Sequence, residues 1–264
     1  MSLSIQAVAD LILHARRSGT HFSSSDLAEP LDNAADAYAV QDLVAKELWR
    51  DFGGRPTAWK AGAGSSDAVP TAAPMSPPIH ASPATLSAGK LGLMIVEMEL
   101  AYRFGRDLPP RTDPDSSTYT LEEVSDAVES IHAAIEIVDS RLADQKTATN
   151  LLKLADDLSH GAFILGEGVQ AWRRIDLRRQ LGELHINDRV HERFQVAHPL
   201  GNPAVLLPWF AEHLSLRAGG AYGGVKAGDI VTTGSLNQLV RCKAGDIVSA
   251  EFPGIGAAIA RFVE

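Results

Sequence analysis

Glu97 and Glu99 stand one residue apart in Leu93-Gly-Leu-Met-Ile-Val-Glu-Met-Glu-Leu-Ala-Tyr102, a run otherwise almost wholly apolar. Length and composition predict a strand. Alternation then turns both glutamates to one face and Val96, Met98 and Leu100 to the other. Two carboxylates side by side on an apolar strand repel, and burying them without partners is costly. Something positive belongs between them. A basic side chain would serve, and so would a hard divalent cation, which carboxylate oxygens suit when a third acidic ligand is at hand. Ala133-Ala-Ile-Glu-Ile-Val-Asp139 supplies one, with Glu136 interrupting a second strand-like apolar run.

Two further groups have chemical potential. Lys60, between Trp59 and Ala61 and just before Gly62, ends a short strand, where partial burial would lower its pKa toward the range useful for proton transfer. Ser235 follows the strand-like Val231-Thr-Thr and can offer its hydroxyl or backbone N–H to an anionic ligand. The histidines are scattered without metal-ligand spacing. Other chemistries are excluded. No G-x-S-x-G elbow occurs, Gly62-Ala-Gly-Ser-Ser lacks the last glycine of a dinucleotide fingerprint, and in Gly219-Gly-Ala-Tyr-Gly-Gly-Val-Lys226 a valine occupies the P-loop lysine position.

The elements that must carry these groups can be outlined. Residues 4–17 have helical apolar spacing behind Ser4, and a second helix is expected from an Asp32 cap to Phe52. Residues 66–90 hold five prolines with serines and alanines and read as a loop that would close over the site as a mobile lid. Residues 105–119 are polar and turn-rich. Thr120-Leu-Glu-Glu123 is a capping box opening a helix through Val124, Ala127, Val128 and Ile131, which feeds into the Glu136 strand. A short helix at 147–158, a strand at 162–166, a hairpin turning at Asn187-Asp188 and a helix begun by Asn202-Pro203 follow. Lys226-Ala-Gly-Asp-Ile-Val231 is echoed by Lys243-Ala-Gly-Asp-Ile-Val248, each a Gly-Asp turn into a strand. Helices first, then a strand-rich body, make the class α+β, divided as a helical region 1–55 and a body 56–264.

The totals agree with a globular protein of modest size. At 264 residues and 45% hydrophobic the chain can bury a real core. A net charge of −9 without a basic cluster argues against nucleic acid. One cysteine excludes an internal disulfide, and neither a signal peptide nor a run of membrane-spanning length is present, so a cytoplasmic protein without a membrane partner is expected.

Together, Trp59-Lys-Ala-Gly62, Val96-Glu-Met-Glu-Leu-Ala-Tyr-Arg-Phe104, Ala134-Ile-Glu-Ile-Val-Asp-Ser-Arg141, Phe163-Ile-Leu-Gly166 and Ala227-Gly-Asp-Ile-Val-Thr-Thr-Gly-Ser235 resemble the 2-keto-4-pentenoate hydratases. With the 4-oxalocrotonate decarboxylases, these belong to the fumarylacetoacetate hydrolase superfamily. The resemblance spans roughly residues 32 to 262. It implies a mixed β-roll, Mg²⁺ or Mn²⁺ on Glu97, Glu99 and Glu136, Lys60 as acid/base, a small 2-oxo or 2-hydroxydienoic acid as substrate, and a homo-oligomer. The expected reaction is hydration of a 2-hydroxy-2,4-dienoate to a 4-hydroxy-2-oxo acid. Decarboxylation of a 2-oxo-enedioate, C–C hydrolysis of an acylpyruvate and a non-catalytic oligomeric homologue are the alternatives. Two positions depart from the hydratase pattern: Pro77-Pro-Ile-His80 where an aspartate is usual, and Asp156-Asp157 where Asp-Asn is usual. His80 and Asp157 are accordingly the candidates for handling water.

Overall fold

The computed structural model describes residues 3–111, 118–195 and 198–264. Among the described residues, five α-helices, α1 (Leu3–Ser18), α2 (Ala34–Leu48), α3 (Leu121–Ala127), α4 (Asn150–Ala155) and α5 (Leu207–Leu216), accompany two mixed sheets. The strands are β1 (Ala58–Gly62), β2 (Thr71–Pro74), β3 (His80–Ala81), β4 (Ala84–Ser87), β5 (Ile95–Phe104), β6 (Val128–Val138) and β7 (His160–Val169). They continue with β8 (Leu181–Ile186), β9 (Arg189–Gln195), β10 (Ile230–Thr232), β11 (Val240–Arg241), β12 (Ile247–Phe252) and β13 (Gly256–Val263). The first sheet runs β2-β1-β10-β5-β6-β7-β3, with β11 also pairing β5; the second runs β4-β13-β12-β8-β9. The class is α+β, as the sequence predicts.

The long antiparallel pair β5–β6 is the spine. Its Val96, Met98, Leu100, Ile131, Ala133, Ile135 and Ile137 are buried in the main core, together with Val248, Ala250, Phe252, Ala258, Ala260 and Phe262 of the second sheet. Glu97 and Glu99 occupy the opposite face, where the alternation places them. That face also carries a small apolar cluster of Ala58, Met75, Ala101, Ala134, Phe163 and Ile230. A separate core joins α1 and α2 to Leu142, Ala148 and α4.

Several boundaries differ from expectation. The cap of α2 is Asn33, whose side chain accepts from Asp36 N, and the helix ends at Leu48 before a 3₁₀ turn at Arg50–Phe52. The Ser4 side chain, expected as a cap, and residues 112–117 of the turn-rich segment lie outside the described residues. The capping box at Thr120 and Glu123 is present, but α3 stops at Ala127. Val128 is already paired with Phe104, so β-ladder formation overrides helical periodicity at these β-branched residues. The region 147–158 holds the six-residue α4, capped by Thr149, and then the start of a short 3₁₀-type turn at Asp157–Ser159. Pro203–Leu206 is a 3₁₀ turn ahead of α5, and Asn202 caps it through Ala204 N.

The largest correction concerns 66–90. This segment builds β2, β3 and β4, which pair with β1, β7 and β13, and Ala72, Ala73 and Met75 are buried. A segment woven into both sheets is not a lid. Its alanines and prolines form strands because cross-strand partners supply what local propensity lacks. The two Gly-Asp turns do behave alike. Gly228 and Gly245 take φ of 91° and 88°, and Asp229 and Asp246 accept from the backbone N–H of Lys226 and Lys243. The hairpin turns on Asn187 and Asp188 with φ of 52° and 61°, as a two-residue turn requires.

Candidate active site

Sheet register assembles the candidate residues. Glu97 lies directly opposite Glu136, and Glu99 opposite Ala134. On the other side Thr232 of β10 pairs with Ala101 and, across a parallel ladder, with Lys60 of β1. Lys60, Thr232, Glu97, Glu99 and Glu136 therefore share one face of four adjacent strands. One potential ligand oxygen from each glutamate lies within 4.8 Å of those of the other two. Glu99 and Glu136 are fully buried. Lys60 Nζ donates to Glu136 Oε1 at 2.6 Å and to Leu158 O at 3.4 Å.

The donor set fits a hard divalent cation. All three potential ligands are carboxylates. Both oxygens of Glu99 and Oε2 of Glu136 are buried with no hydrogen-bond partner among the described residues. Buried polar atoms are ordinarily matched, so this group of unmatched oxygens marks a place for a cation.

Charge is distributed unevenly without one. Burial and the neighbouring Glu136 charge push Glu99 well above the usual carboxylate range. Burial raises Glu97 too, against the pull of Lys60. Burial also acts upward on Glu136, but Lys60 and His160 overrule it and hold this carboxyl low. Burial works to lower Lys60, and the Glu136, Glu97 and Glu99 charges overcome it, so the ammonium is strengthened, contrary to the lowering expected from burial alone.

A tight turn packs against this face. Asp157, Leu158 and Ser159 take left-handed φ of 49°, 53° and 62° in succession. Non-glycine residues there cost on the order of 1 kcal/mol each, and such backbone persists where its surroundings fix it. Here the surroundings are polar and buried. Asp139 N donates to Ser159 O at 2.8 Å, and Arg141 binds the Asp156 carboxylate and the His160 carbonyl. The turn presents the Leu158 carbonyl to Lys60 and starts β7 at His160, whose Nδ1 lies 3.1 Å from Glu136 Oε1. Burial depresses His160 to about 4, so its ring is neutral at physiological pH.

The remaining predicted residues lie elsewhere or act indirectly. Asp157 is buried, but its Oδ2 accepts from Arg16 of α1 at 2.8 Å. Burial raises it to about 6 against the opposing charges of Arg16 and Arg141. His80 is on β3, aligned with Ile164, in a separate pocket of about 380 Å³ with Arg103, His132 and Glu167. Replacing it by alanine is expected to leave turnover within about twofold, as is usual for a half-buried residue away from the chemistry, and steady-state kinetics would check this. Ser235 Oγ reaches the side chain and carbonyl of Asn237 rather than the carboxylates.

Three residues that motif reading passes over support the site. His160 was one of the scattered histidines, and Thr232 stood unremarked beside Ser235. Asn237 completes the edge of β5 between the short partners β10 and β11. Its Oδ1 accepts from Met98 N at 2.6 Å and its Nδ2 donates to Val96 O at 3.3 Å, bracketing Glu97. Asn237→Ala is expected to cost about 1–3 kcal/mol of stability and to weaken divalent-ion binding by roughly 10-fold, measured by denaturation and calorimetry.

This chain belongs to the fumarylacetoacetate hydrolase family: residues 65–263 match the family described as fumarylacetoacetate (FAA) hydrolase C-terminal. It is 30% identical over 269 residues to a 2-keto-4-pentenoate hydratase of Burkholderia vietnamiensis, covering 99% of this chain and 98% of that protein. A 2-keto-4-pentenoate hydratase 1 of Dechloromonas aromatica is also 30% identical over 269 residues, covering 98% of this chain and 97% of that one. In fold it is similar to the 4-oxalocrotonate decarboxylase of Pseudomonas putida G7 solved with magnesium and adipate. That similarity has a TM-score of 0.81 at 22% identity, over 98% of this chain and 97% of that one. The mixed β-roll expected from the sequence is thus the fold observed, and the chain is an enzyme of the lyase type. No helix among the described residues is long and apolar enough to cross a membrane.

Proposed function

We propose that the chain is a Mg²⁺- or Mn²⁺-dependent hydratase of a small 2-hydroxy-2,4-dienoate, forming a 4-hydroxy-2-oxo acid. The observation that carries this reading is the convergence of three carboxylates, two fully buried and one half-buried, and Lys60 on one sheet face. Full-length relatives bearing hydratase names support the choice of substrate class. Glu97, Glu99 and Glu136 would hold the ion. When bound, it would supply Lewis-acid polarisation of the substrate's carboxylate and 2-oxygen. Lys60 gives its ammonium proton to the terminal carbon and takes the 2-hydroxyl proton in exchange, leaving a conjugated 2-oxo acid to which water adds, its hydroxyl at C4 and its proton at C3. The buried apolar cluster of Met75, Phe163 and Ala134 on the same side of the sheet would limit the access of bulk water to that proton.

Carbon–carbon hydrolysis is less well served, because His80 lies in another pocket and Asp157 is tied to Arg16. The deciding experiment follows the ultraviolet loss of 2-hydroxypenta-2,4-dienoate and of 2-oxohex-3-enedioate, with Mg²⁺ and with EDTA, and identifies the products. Mg²⁺-dependent formation of 4-hydroxy-2-oxopentanoate is the expected result. Release of CO₂ from the enedioate without dienoate hydration would replace the proposal with the decarboxylase alternative.

A further inference from the structure

His160 is wholly buried and touches the carboxylate cluster through its Nδ1, 3.1 Å from Glu136 Oε1. An ionised carboxylate only accepts, so the proton of that hydrogen bond is on Nδ1. In the neutral ring Nε2 is then a bare acceptor. It is buried and has no partner among the described residues. Glu136 thus fixes both the tautomer and the direction of hydrogen bonding. The unmatched nitrogen can be completed by a ligand that donates, and not by the carboxylate or keto oxygens of the substrate.

The hydration reading needs such a group. Water adding at C4 brings O–H donors that need an acceptor, and the residues first expected to handle water are otherwise placed. His80 is in its own pocket, and Asp157, although its Oδ1 is also unmatched, is paired through Oδ2 with Arg16 rather than with the carboxylate cluster. The Lys60 ammonium donates and cannot accept. We infer that His160 Nε2 accepts the hydrogen bond of the water that adds at C4 and of the C4 hydroxyl in the product. His160 is by this inference a second substrate-contacting residue beside Lys60. It acts through a hydrogen bond and requires no change in its charge.

This inference rests on the hydratase reading, and the test separates the two. His160→Asn keeps an amide N–H near the Nδ1 position for Glu136 and removes Nε2. Calorimetry on the Mg²⁺-loaded proteins would compare 4-hydroxy-2-oxopentanoate with 2-oxopentanoate, which lacks the C4 hydroxyl. Wild type is expected to prefer the hydroxylated acid by roughly 3- to 10-fold, the worth of one hydrogen bond. His160→Asn should lose that preference while binding 2-oxopentanoate and Mg²⁺ as wild type does. In wild type labelled with ¹⁵N-histidine, the His160 Nε2 signal should be that of an unprotonated ring nitrogen and should move with the hydroxylated acid only. A preference that survives in His160→Asn, or an equal loss of both acids and of Mg²⁺, overturns the inference while dienoate hydration by wild type stands. A protonated Nε2 overturns it even if the variant does not fold. Failure of wild type to hydrate the dienoate overturns the hydratase reading, and this inference with it.

Discussion

Glu99→Gln is expected to abolish most of the protein's stabilisation by Mg²⁺ and, without metal, to melt above wild type near neutral pH. Glu99 is fully buried, neither of its oxygens has a partner among the described residues, and burial and Glu136 push its ionisation well above the usual range. A raised carboxyl binds a proton in the folded state that the unfolded chain has already released. Metal-free stability therefore falls as pH rises from about 4.5, the ordinary glutamate value, toward and through the raised one. Glutamine removes that slope, because it has no charge to bury. The same change would withdraw one of the three proposed metal ligands. If losing a group that only orients a ligand costs 10–100-fold in metal affinity, loss of a ligand itself should cost more than about 100-fold. A Mg²⁺ concentration at 100 times the wild-type dissociation constant stabilises wild type by about 2.7 kcal/mol, and the variant by about 0.4 kcal/mol or less. Thermal melts at pH 5 and pH 8, with and without Mg²⁺, give both signs in one experiment. Equal Mg²⁺ shifts in the two proteins would remove Glu99 from the metal site.

How much of this was legible in the sequence follows from how local each feature is. Period-two alternation around Glu97 and Glu99, and the apolar run around Glu136, are local, and they place all three carboxylates on strands correctly. Which strands become neighbours is not local. Lys60 reaches Glu136 because β1 pairs in parallel with β10, whose partner is β5. That register joins residues more than 170 positions apart and leaves no periodic trace. His160 was invisible for a related reason. Its contact with Glu136 needs both the β6–β7 register and three consecutive left-handed residues that are not glycine. The short strands of 66–90 were missed because alanine, proline and serine lack strand propensity. They are held by partners in two sheets, so their structure is a consequence of the fold rather than of their composition.

Lys60→Met is expected to lower turnover by about 10²–10⁴-fold, the usual contribution of a positioned proton-transfer group. From the local sequence alone little effect on folding is expected, since methionine keeps most of the stem. The structure alters that expectation. Nζ lies 2.6 Å from Glu136 Oε1, and the lysine side chain is 11% exposed beside three buried or nearly buried carboxylates. Removing one partner of a buried ion pair typically costs 3–5 kcal/mol, because the other charge is left uncompensated. Metal-free Lys60→Met should lose about that much stability, and Mg²⁺ should restore most of it by supplying positive charge to the same oxygens. The two effects therefore separate with metal: stability recovers and turnover does not. A divalent ion among Glu97, Glu99 and Glu136 would also offset the negative charge that strengthens the Lys60 ammonium, which would bring the amine closer to exchanging its proton. Denaturation with and without Mg²⁺, alongside kcat at saturating Mg²⁺, measures each part. Near-wild-type kcat in a Mg²⁺-stabilised Lys60→Met protein would show that the lysine only balances charge and that another group moves the proton.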